Sequence, residues 1–230
     1  MDNDRPFLFI PDLQIPFENK KALNFCAHIK KHYKIPDKNV ICAGDETDQY
    51  YGSLYKLDPN AHLTANAEIE SSIETLRQWY NVFPEMKLCI SNHATRWQRK
   101  ALDCSIPAIL MRKYEELIQA PDGWKWAKKW YINTKTPFIA EHGDDWGGTD
   151  PHIKAALHNG ISTIMGHHHS KASIKHITTS ERRYWACVSG ALIDFDSFAF
   201  NYARSHALKP VNGVTIIFNN GTTPLFLPLE

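Results

Sequence analysis

Residues 40–48, which read VICAGDETD, constrain most strongly how this chain can fold. The first four are apolar or small, which predicts a buried parallel strand, and Gly44 predicts the turn that ends it. Asp45 comes directly after that glycine, and Asp48 follows three positions later. In open α/β sheets, ligands bind just beyond the carboxyl ends of the strands. We therefore expect Asp45 to lie at a ligand site.

Four further apolar runs of the chain end in polar side chains in the same way. A single histidine after a strand is usually a loop residue, but five such endings in one chain indicate a common cause. A metal site at the tips of the strands would supply that cause. Residues 6–10 lead to Asp12 and Gln14, residues 86–91 to Asn92 and His93, residues 137–141 to His142, and residues 161–165 to His167, His168 and His169.

Direction and chemistry both favour metal ligation. Residues two apart in an extended chain face the same side, so His167 can point with His169 while His168 points away. Carboxylates, imidazoles and an amide suit Mn²⁺, Fe, Zn²⁺, Co²⁺ or Ni²⁺ better than Ca²⁺ alone. Asp45 can bridge two ions because its carboxylate has two oxygens. Two ions about 3.5–4 Å apart polarise a phosphoryl oxygen and deprotonate a bridging water, which predicts phosphoester hydrolysis.

The pattern as a whole predicts an α/β (α+β) chain that folds as one domain over residues 1–230. Residues 49–63 are interpreted as a loop over the site. Asn219-Asn220-Gly221 predicts a hairpin between the last two strands. Helices are predicted at residues 18–33, at 64–84, at 95–119 with a break near Pro107, and at 150–158, and late strands at residues 173–178, 184–189, 214–219 and 223–229.

Composition and charge exclude several classes of protein. The formal net charge is +1, so no global field recruits nucleic acid or an anionic membrane. No apolar run approaches the ~18–20 residues of a membrane span, and the acidic start MDND is not typical of a secretory signal. Five widely spaced cysteines without a CxxC pair indicate reduced core thiols. We therefore expect a cytoplasmic protein with no membrane partner.

Two basic segments leave alternatives open. Residues 124–131 (WKWAKKWY) alternate aromatic and basic side chains, which suits a nucleic-acid groove but also an amphipathic strand with its tryptophans in the core. Arg96, Arg99 and Lys100 follow His93 closely. They could grip substrate phosphates, with Arg96 and His93 as the candidate substrate-binding pair, or they could be the exposed face of a helix.

The ordered motifs resemble those of the calcineurin-like metallophosphoesterase superfamily. They read D-x-[H/Q], GDxxD, xNH, HG and GHxH, and they run from Asp12 to His169 in that family's order. The resemblance implies a four-layer β-sandwich flanked by helices, with a dinuclear metal centre at the strand ends. The implied cofactors are two divalent ions, with Mn²⁺ preferred and Fe, Zn²⁺, Co²⁺, Ni²⁺ or Mg²⁺ as alternatives.

The resemblance also assigns a role to each matching residue. His93 would approach the substrate and protonate the leaving oxygen, and Asp48 would orient the ring of His93. The first ion would be held by Asp12, Gln14, Asp45 and His169, and the second by Asp45, Asn92, His142 and His167.

The chain departs from the family pattern at three positions. Gln14 stands where histidine is usual, Ser91 where glycine is usual, and Ala94 where an acidic residue is common. Our main expectation is a metal-dependent phosphoesterase that hydrolyses phosphomonoesters or phosphodiesters through a two-metal bridging hydroxide. One alternative is a DNA or RNA nuclease of the same superfamily, with a nucleotide or nucleic acid as substrate. The other is a metal-binding protein of this fold with little turnover.

Overall fold

The computed structural model describes residues 5–54 and 56–230. Residues 1–4, which carry our expectation about a secretory signal, and Tyr55 of the predicted loop lie outside the described residues. The strands are β1 (Phe7–Ile10), β2 (Val40–Cys42), β3 (Met86–Cys89), β4 (Trp124–Ala127), β5 (Lys129–Ile132), β6 (Phe138–Glu141), β7 (Ser162–Met165), β8 (Ala172–Thr178), β9 (Arg183–Ser189), β10 (Gly213–Phe218) and β11 (Thr223–Pro228). The α-helices are α1 (Ala22–His32), α2 (Ala65–Val82), α3 (Arg96–Asp103), α4 (Tyr114–Leu117) and α5 (Pro151–Asn159).

The strands form two mixed sheets. The first has the order β11-β10-β1-β2-β3-β4, in which β1 to β4 are parallel and β10 is antiparallel to β1. The second has the order β5-β6-β7-β9-β8, in which β6, β7 and β9 are parallel and the two edge strands are antiparallel. The predicted mixed α/β class is therefore confirmed.

Alternation along β1 divides the interior into two hydrophobic clusters. Phe9 and Phe138 lie in one cluster, which joins residues of both sheets. Leu8 lies in the other cluster, with Cys26 of α1 and Trp79 of α2. Side chains of successive residues leave a strand on opposite faces, so the first sheet packs on the second sheet with one face and on helices with the other. On the second sheet, α5 packs against residues of β7 and β9.

The helix and hairpin signals predict several boundaries correctly. The hydroxyl of Thr64 accepts a hydrogen bond from the Ala67 N–H and caps α2. The predicted break near Pro107 is also present, because α3 ends at Asp103 and a short 3₁₀ turn precedes α4. β10 and β11 pair antiparallel around the predicted hairpin, whose residues 219–221 all have positive φ.

Two predicted boundaries are wrong. Glu18 forms an isolated β-bridge with Ile193, and the first helix begins at Ala22 instead. Residues 124–131 do not form one strand: β4 pairs with β3 in the first sheet and β5 with β6 in the second. The chain crosses between sheets at Lys128, where Ala127-Lys128-Lys129 interrupts the alternation of aromatic and basic residues. All five cysteines are free, four of them buried and Cys104 exposed. Among the described residues, no helix has the length and apolarity needed to cross a membrane.

Candidate metal centre

The loops after β1, β2, β3, β6 and β7 converge on one site. Its shared residue is Asp45, which is 1% exposed and belongs to two separate groups of potential metal ligands. In each group the candidate ligand atoms lie within 4.8 Å of one another. The groups are Asp12, Asp45 and His169, and Asp45, His142 and His167.

The backbone around Asp45 is held in an unusual conformation. Asp45 has a left-handed φ of 50°, directly after Gly44 with a φ of 100°. A Cβ on Gly44 would lie 2.6 Å from the Cys89 carbonyl oxygen, so only glycine fits between β2 and β3 at this point. The Asp45 N–H donates to Ser91 Oγ at 3.0 Å, and its carbonyl accepts from the Gln14 N–H at 2.7 Å. These contacts fix the direction of the carboxylate.

Asp12 supplies a buried carboxylate that lacks hydrogen-bond donors. It is fully buried, and neither carboxylate oxygen has a hydrogen-bond partner among the described residues. His169 Nε2 lies 3.2 Å from Asp12 Oδ2. A buried anionic group without donors is strongly unfavourable unless a cation balances it. This group of residues therefore fits a bound cation.

Gln14 presents its amide to the same position. Its Nε2 lies 3.1 Å from His169 Nε2 and 3.4 Å from Asp45 Oδ2, while its Oε1 is buried with no partner among the described residues. The two ends of an amide are interchangeable by a flip of the side chain. The flipped amide would direct Oε1 toward Asp45 and His169, which is the orientation that a metal ligand needs.

In the second group, the tautomer of His142 is fixed by the backbone. His142 Nδ1 lies 3.0 Å from the Ala43 carbonyl oxygen, which can only accept, so Nδ1 carries the proton. In the neutral ring Nε2 then keeps its lone pair, 2.7 Å from Asn92 Oδ1 and 3.1 Å from His167 Nδ1. A carbonyl that orients an imidazole through its other nitrogen is typical of metal-ligating histidines.

The carboxylates and imidazoles of the centre shift one another's pKa values. Burial alone would raise the pKa of Asp45, but the imidazoles of His93 and His142 outweigh burial and hold that pKa well below its usual value. Burial would lower the pKa of His142, but the carboxylates of Asp45 and Asp12 raise it. Burial, followed by the charge of His142, lowers the pKa of His167. An ionised Asp45 and a neutral His167 are the forms that bind metals.

Because Gly166 has no side chain, the Asp12 carboxylate can lie directly beside its backbone. A Cβ at this position would lie 2.4 Å from Asp12 Oδ1 and 2.6 Å from Ala43 Cβ. The next residue, His167, has a left-handed φ of 62°. His168 Nε2 lies 3.0 Å from the Trp146 carbonyl oxygen, and His168 belongs to neither ligand group. The left-handed φ at His167 shows that this segment is not extended, so the turn and not strand alternation separates His168 from the ligands.

His93 lies beside the two groups and contacts a second carboxylate. Its ring Nδ1 is 3.1 Å from Asp48 Oδ1, at the distance of an ion pair. Its backbone N–H donates to Asp45 Oδ1 at 3.2 Å. An Arg96 guanidinium nitrogen lies 2.7 Å from His93 Nε2, and the other donates to the Asp48 carbonyl at 2.8 Å. His93, Asp48 and Arg96 therefore form one contact set at the edge of the centre.

The three basic residues of α3 donate hydrogen bonds to carbonyl groups of neighbouring loops. Arg96 donates to the Asp48 carbonyl, Arg99 to the Asn92 carbonyl at 2.7 Å, and Lys100 to the Tyr51 carbonyl at 2.8 Å. Each of these carbonyls belongs to a loop of the centre. Arg96 and Lys100 are partly buried, whereas Arg99 is exposed, so the exposed-face interpretation holds for Arg99 only.

The tryptophans of residues 124–131 are also engaged internally. The indole N–H groups of Trp124, Trp126 and Trp130 donate to the Phe83 carbonyl, to Glu46 Oε1 and to the Leu88 carbonyl, at 2.8–2.9 Å. These contacts favour the packing interpretation of the segment over a base-stacking groove.

Sequence reasoning missed three contributions to the site. Ser91 appeared as a departure from the family pattern, yet its hydroxyl accepts from the Asp45 and Ala94 N–H groups. Its position next to Asn92 is the signal that could have revealed it. The orienting carbonyl of Ala43 and the space left by Gly166 have no side-chain signal, although both positions adjoin motif residues.

No protein-family model matches this chain, and a search of curated proteins finds no match. We therefore infer function from the chemistry of the site itself.

Proposed function

We propose that this protein is a metal-dependent phosphoester hydrolase with a dinuclear centre. The observation that carries the proposal is that Asp45 is shared by two groups of potential ligands, each completed by one buried and one partly buried polar residue. A carboxylate common to two cation sites is what a two-metal phosphoesterase requires. The two sheets, with helices packed on their other faces, support the four-layer sandwich that the sequence resemblance implies.

The residues of the two ligand groups would hold the ions. When bound, the ions would supply Lewis-acid polarisation of the phosphoryl oxygen and an activated water. The mixture of two carboxylates, imidazoles and an amide suits Mn²⁺ and its transition-metal neighbours. The first ion would be held by Asp12, Gln14, Asp45 and His169, and the second by Asp45, Asn92, His142 and His167.

His93 would act as the general acid that protonates the leaving group. Its ring lies next to Asp45, and Asp48 Oδ1, 3.1 Å from Nδ1, would orient a protonated ring through an ion pair. Because a guanidinium can only donate, Arg96 would have to leave Nε2 before a protonated His93 could donate to a departing alkoxide. Arg96, in contact with both His93 and Asp48, is placed to meet the negative charge of a phosphoester.

Activity assays with defined metals test the proposal. Protein stripped of metal would be reconstituted with Mn²⁺ and assayed on a nitrophenyl phosphomonoester, the corresponding diester, nucleotides and single-stranded DNA. We expect hydrolysis that chelator abolishes and that Asp45→Asn lowers by at least ~100-fold. Asp103→Asn, a change of an exposed aspartate at the end of α3, is the matched control.

His93 is tested in the same assay. We expect His93→Ala to lower kcat by roughly 10²–10⁴-fold on esters with poor leaving groups. The exposed His28 of α1 provides the control His28→Ala, which should keep full activity. Hydrolysis that persists in chelator or in Asp45→Asn would contradict the proposal.

The two alternatives from the sequence are outcomes of this panel. Cleavage of DNA and diesters without cleavage of monoesters would identify a nuclease. Two bound ions without hydrolysis of any substrate would identify a metal-binding protein with little turnover.

A further inference from the structure

We propose that Glu68 is a positioning residue of this site, which holds the turn 49–52 and thereby positions Asp48 and Arg96 beside His93. This inference rests on the proposed function, because its effect is on the proton donated to the leaving group. Glu68 has no counterpart among the sequence motifs and touches no candidate metal ligand in the described contacts.

Glu68 binds two backbone N–H groups of this turn. It lies in the first turn of α2 and is 1% exposed. Its Oε1 accepts from the Tyr50 N–H at 2.5 Å, and its Oε2 accepts from the Tyr51 N–H at 3.2 Å. The preceding residue, Gln49, has a left-handed φ of 52°, so the chain reverses sharply right after Asp48. A carboxylate that accepts two adjacent N–H groups fixes such a reversal strongly.

Contacts with α3 hold the other side of the same turn. The amide of Gln49 donates to the Ala94 carbonyl and accepts from the Trp97 N–H, both at 3.3 Å. The ammonium of Lys100 donates to the Tyr51 carbonyl at 2.8 Å. A Cβ on Gly52 would lie 3.0 Å from Arg96 Cβ, so turn and helix are in close contact. The turn is therefore held between Glu68 on one side and the helix that carries Arg96 on the other.

The ionised form of Glu68 is costly to bury. Burial, followed by the charge of Asp48, raises the pKa of Glu68 to about 7. The cavity beside it, lined also by Gln49 and Trp97, has a volume of only ≈10 Å³, so solvation gives little relief. Glutamine has nearly the same shape but only one acceptor oxygen, so Glu68→Gln removes one of the two bonds and the charge without opening a cavity.

The test measures whether the effect of Glu68→Gln on the rate of hydrolysis depends on the leaving group of the substrate. Both wild type and variant would be assayed as full chains saturated with Mn²⁺, on a 4-nitrophenyl ester and on an alkyl ester of the same phosphate class. A nitrophenolate leaves without a proton, whereas an alkoxide needs one. We expect kcat on the alkyl ester to fall roughly 10–100-fold, with the nitrophenyl rate within about 3-fold of wild type and KM and bound metal unchanged.

Matched variants separate positioning from folding. Glu70→Gln changes an exposed glutamate on the same helix and should leave both rates unchanged. If Glu68→Gln does not fold, Lys100→Met removes the opposite anchor of the turn and is expected to show the same selective loss. Equal loss on both esters, loss of metal, or no loss in the folded variant would overturn the inference. Absence of metal-dependent hydrolysis in the wild type would overturn the proposed function as well.

Discussion

Replacing Gly166 by alanine tests whether the close packing around Asp12 is needed for the metal centre. Gly166 is not among the residues with a left-handed backbone, so alanine is compatible with its φ. The effect of the substitution then comes from the added methyl group alone. That Cβ would lie 2.4 Å from Asp12 Oδ1, about 1 Å closer than an ordinary contact. Either the loop or the carboxylate has to move by about that amount.

The size of the effect follows from this displacement. Metal–ligand distances tolerate only about ±0.2 Å, so a carboxylate moved by about 1 Å no longer ligates well. We expect the affinity for the first ion to fall at least ~100-fold, which corresponds to about 2.7 kcal/mol. Overpacking should also lower the free energy of unfolding of the metal-free protein by about 1–3 kcal/mol.

Isothermal titration with Mn²⁺ and denaturant unfolding with chelator present would measure the two effects. Gly147→Ala is the matched control, because Gly147 also has an ordinary φ and no atom lies within 4 Å of the Cβ it would gain. The control should bind metal and unfold like wild type. Wild-type metal affinity in Gly166→Ala would refute the assignment of Asp12 as a ligand.

Two further changes test the support of the site. Ser91→Ala removes the acceptor of the Asp45 and Ala94 N–H groups, so we expect the free energy of unfolding to fall by about 2 kcal/mol, and an unchanged denaturation midpoint would contradict this. Burial raises the pKa of Glu68 from 4.5 to about 7 in the folded state, so the folded protein retains this proton longer than the unfolded chain as pH rises. Stability from Glu68 is therefore lost between pH 4.5 and 7, and metal-free Glu68→Gln should gain about 3 kcal/mol relative to wild type over that interval in urea unfolding. A difference that does not change with pH would show that Glu68 is not held in this way.

Much of the fold was predictable because its strands are short and end in clear signals. The run VICAG is apolar on both faces, as a buried parallel strand requires, and its end is marked by glycine. The crossing between sheets at Lys128 was not predicted, although Ala127-Lys128-Lys129 interrupts the period-2 alternation there, because one interruption also fits an irregular single strand. The start of α1 was missed because Glu18 pairs with Ile193, about 175 positions away, and local periodicity contains no such information.

The candidate site was predictable in its ligand types but not in its supports. The sequence selected His167 and His169 and set His168 aside, and each of the first two belongs to one ligand group, although a left-handed φ at His167 replaces the extended chain that was assumed. Basic side chains on a short helix look solvent-exposed in sequence, so the bonds of Arg99 and Lys100 to loop carbonyls were not foreseen. Backbone acceptors such as the Ala43 carbonyl leave no trace in residue identity.

The position of β1 has a consequence for how the protein is made. β1, which precedes Asp12, lies between β2 and the late strand β10, and the Asp12 carbonyl accepts from the Leu192 N–H at 2.8 Å. Every candidate ligand is contained in residues 12–169, so a chain emerging from the ribosome has all of them before the segments that hold the first one in place. The pairing of β1 with β10 must await the last hairpin, and it is a long-range pairing of the slow kind. A fragment lacking β10 and β11 would carry the complete ligand set on an open-edged sheet, prone to pair with other chains rather than to bind metal.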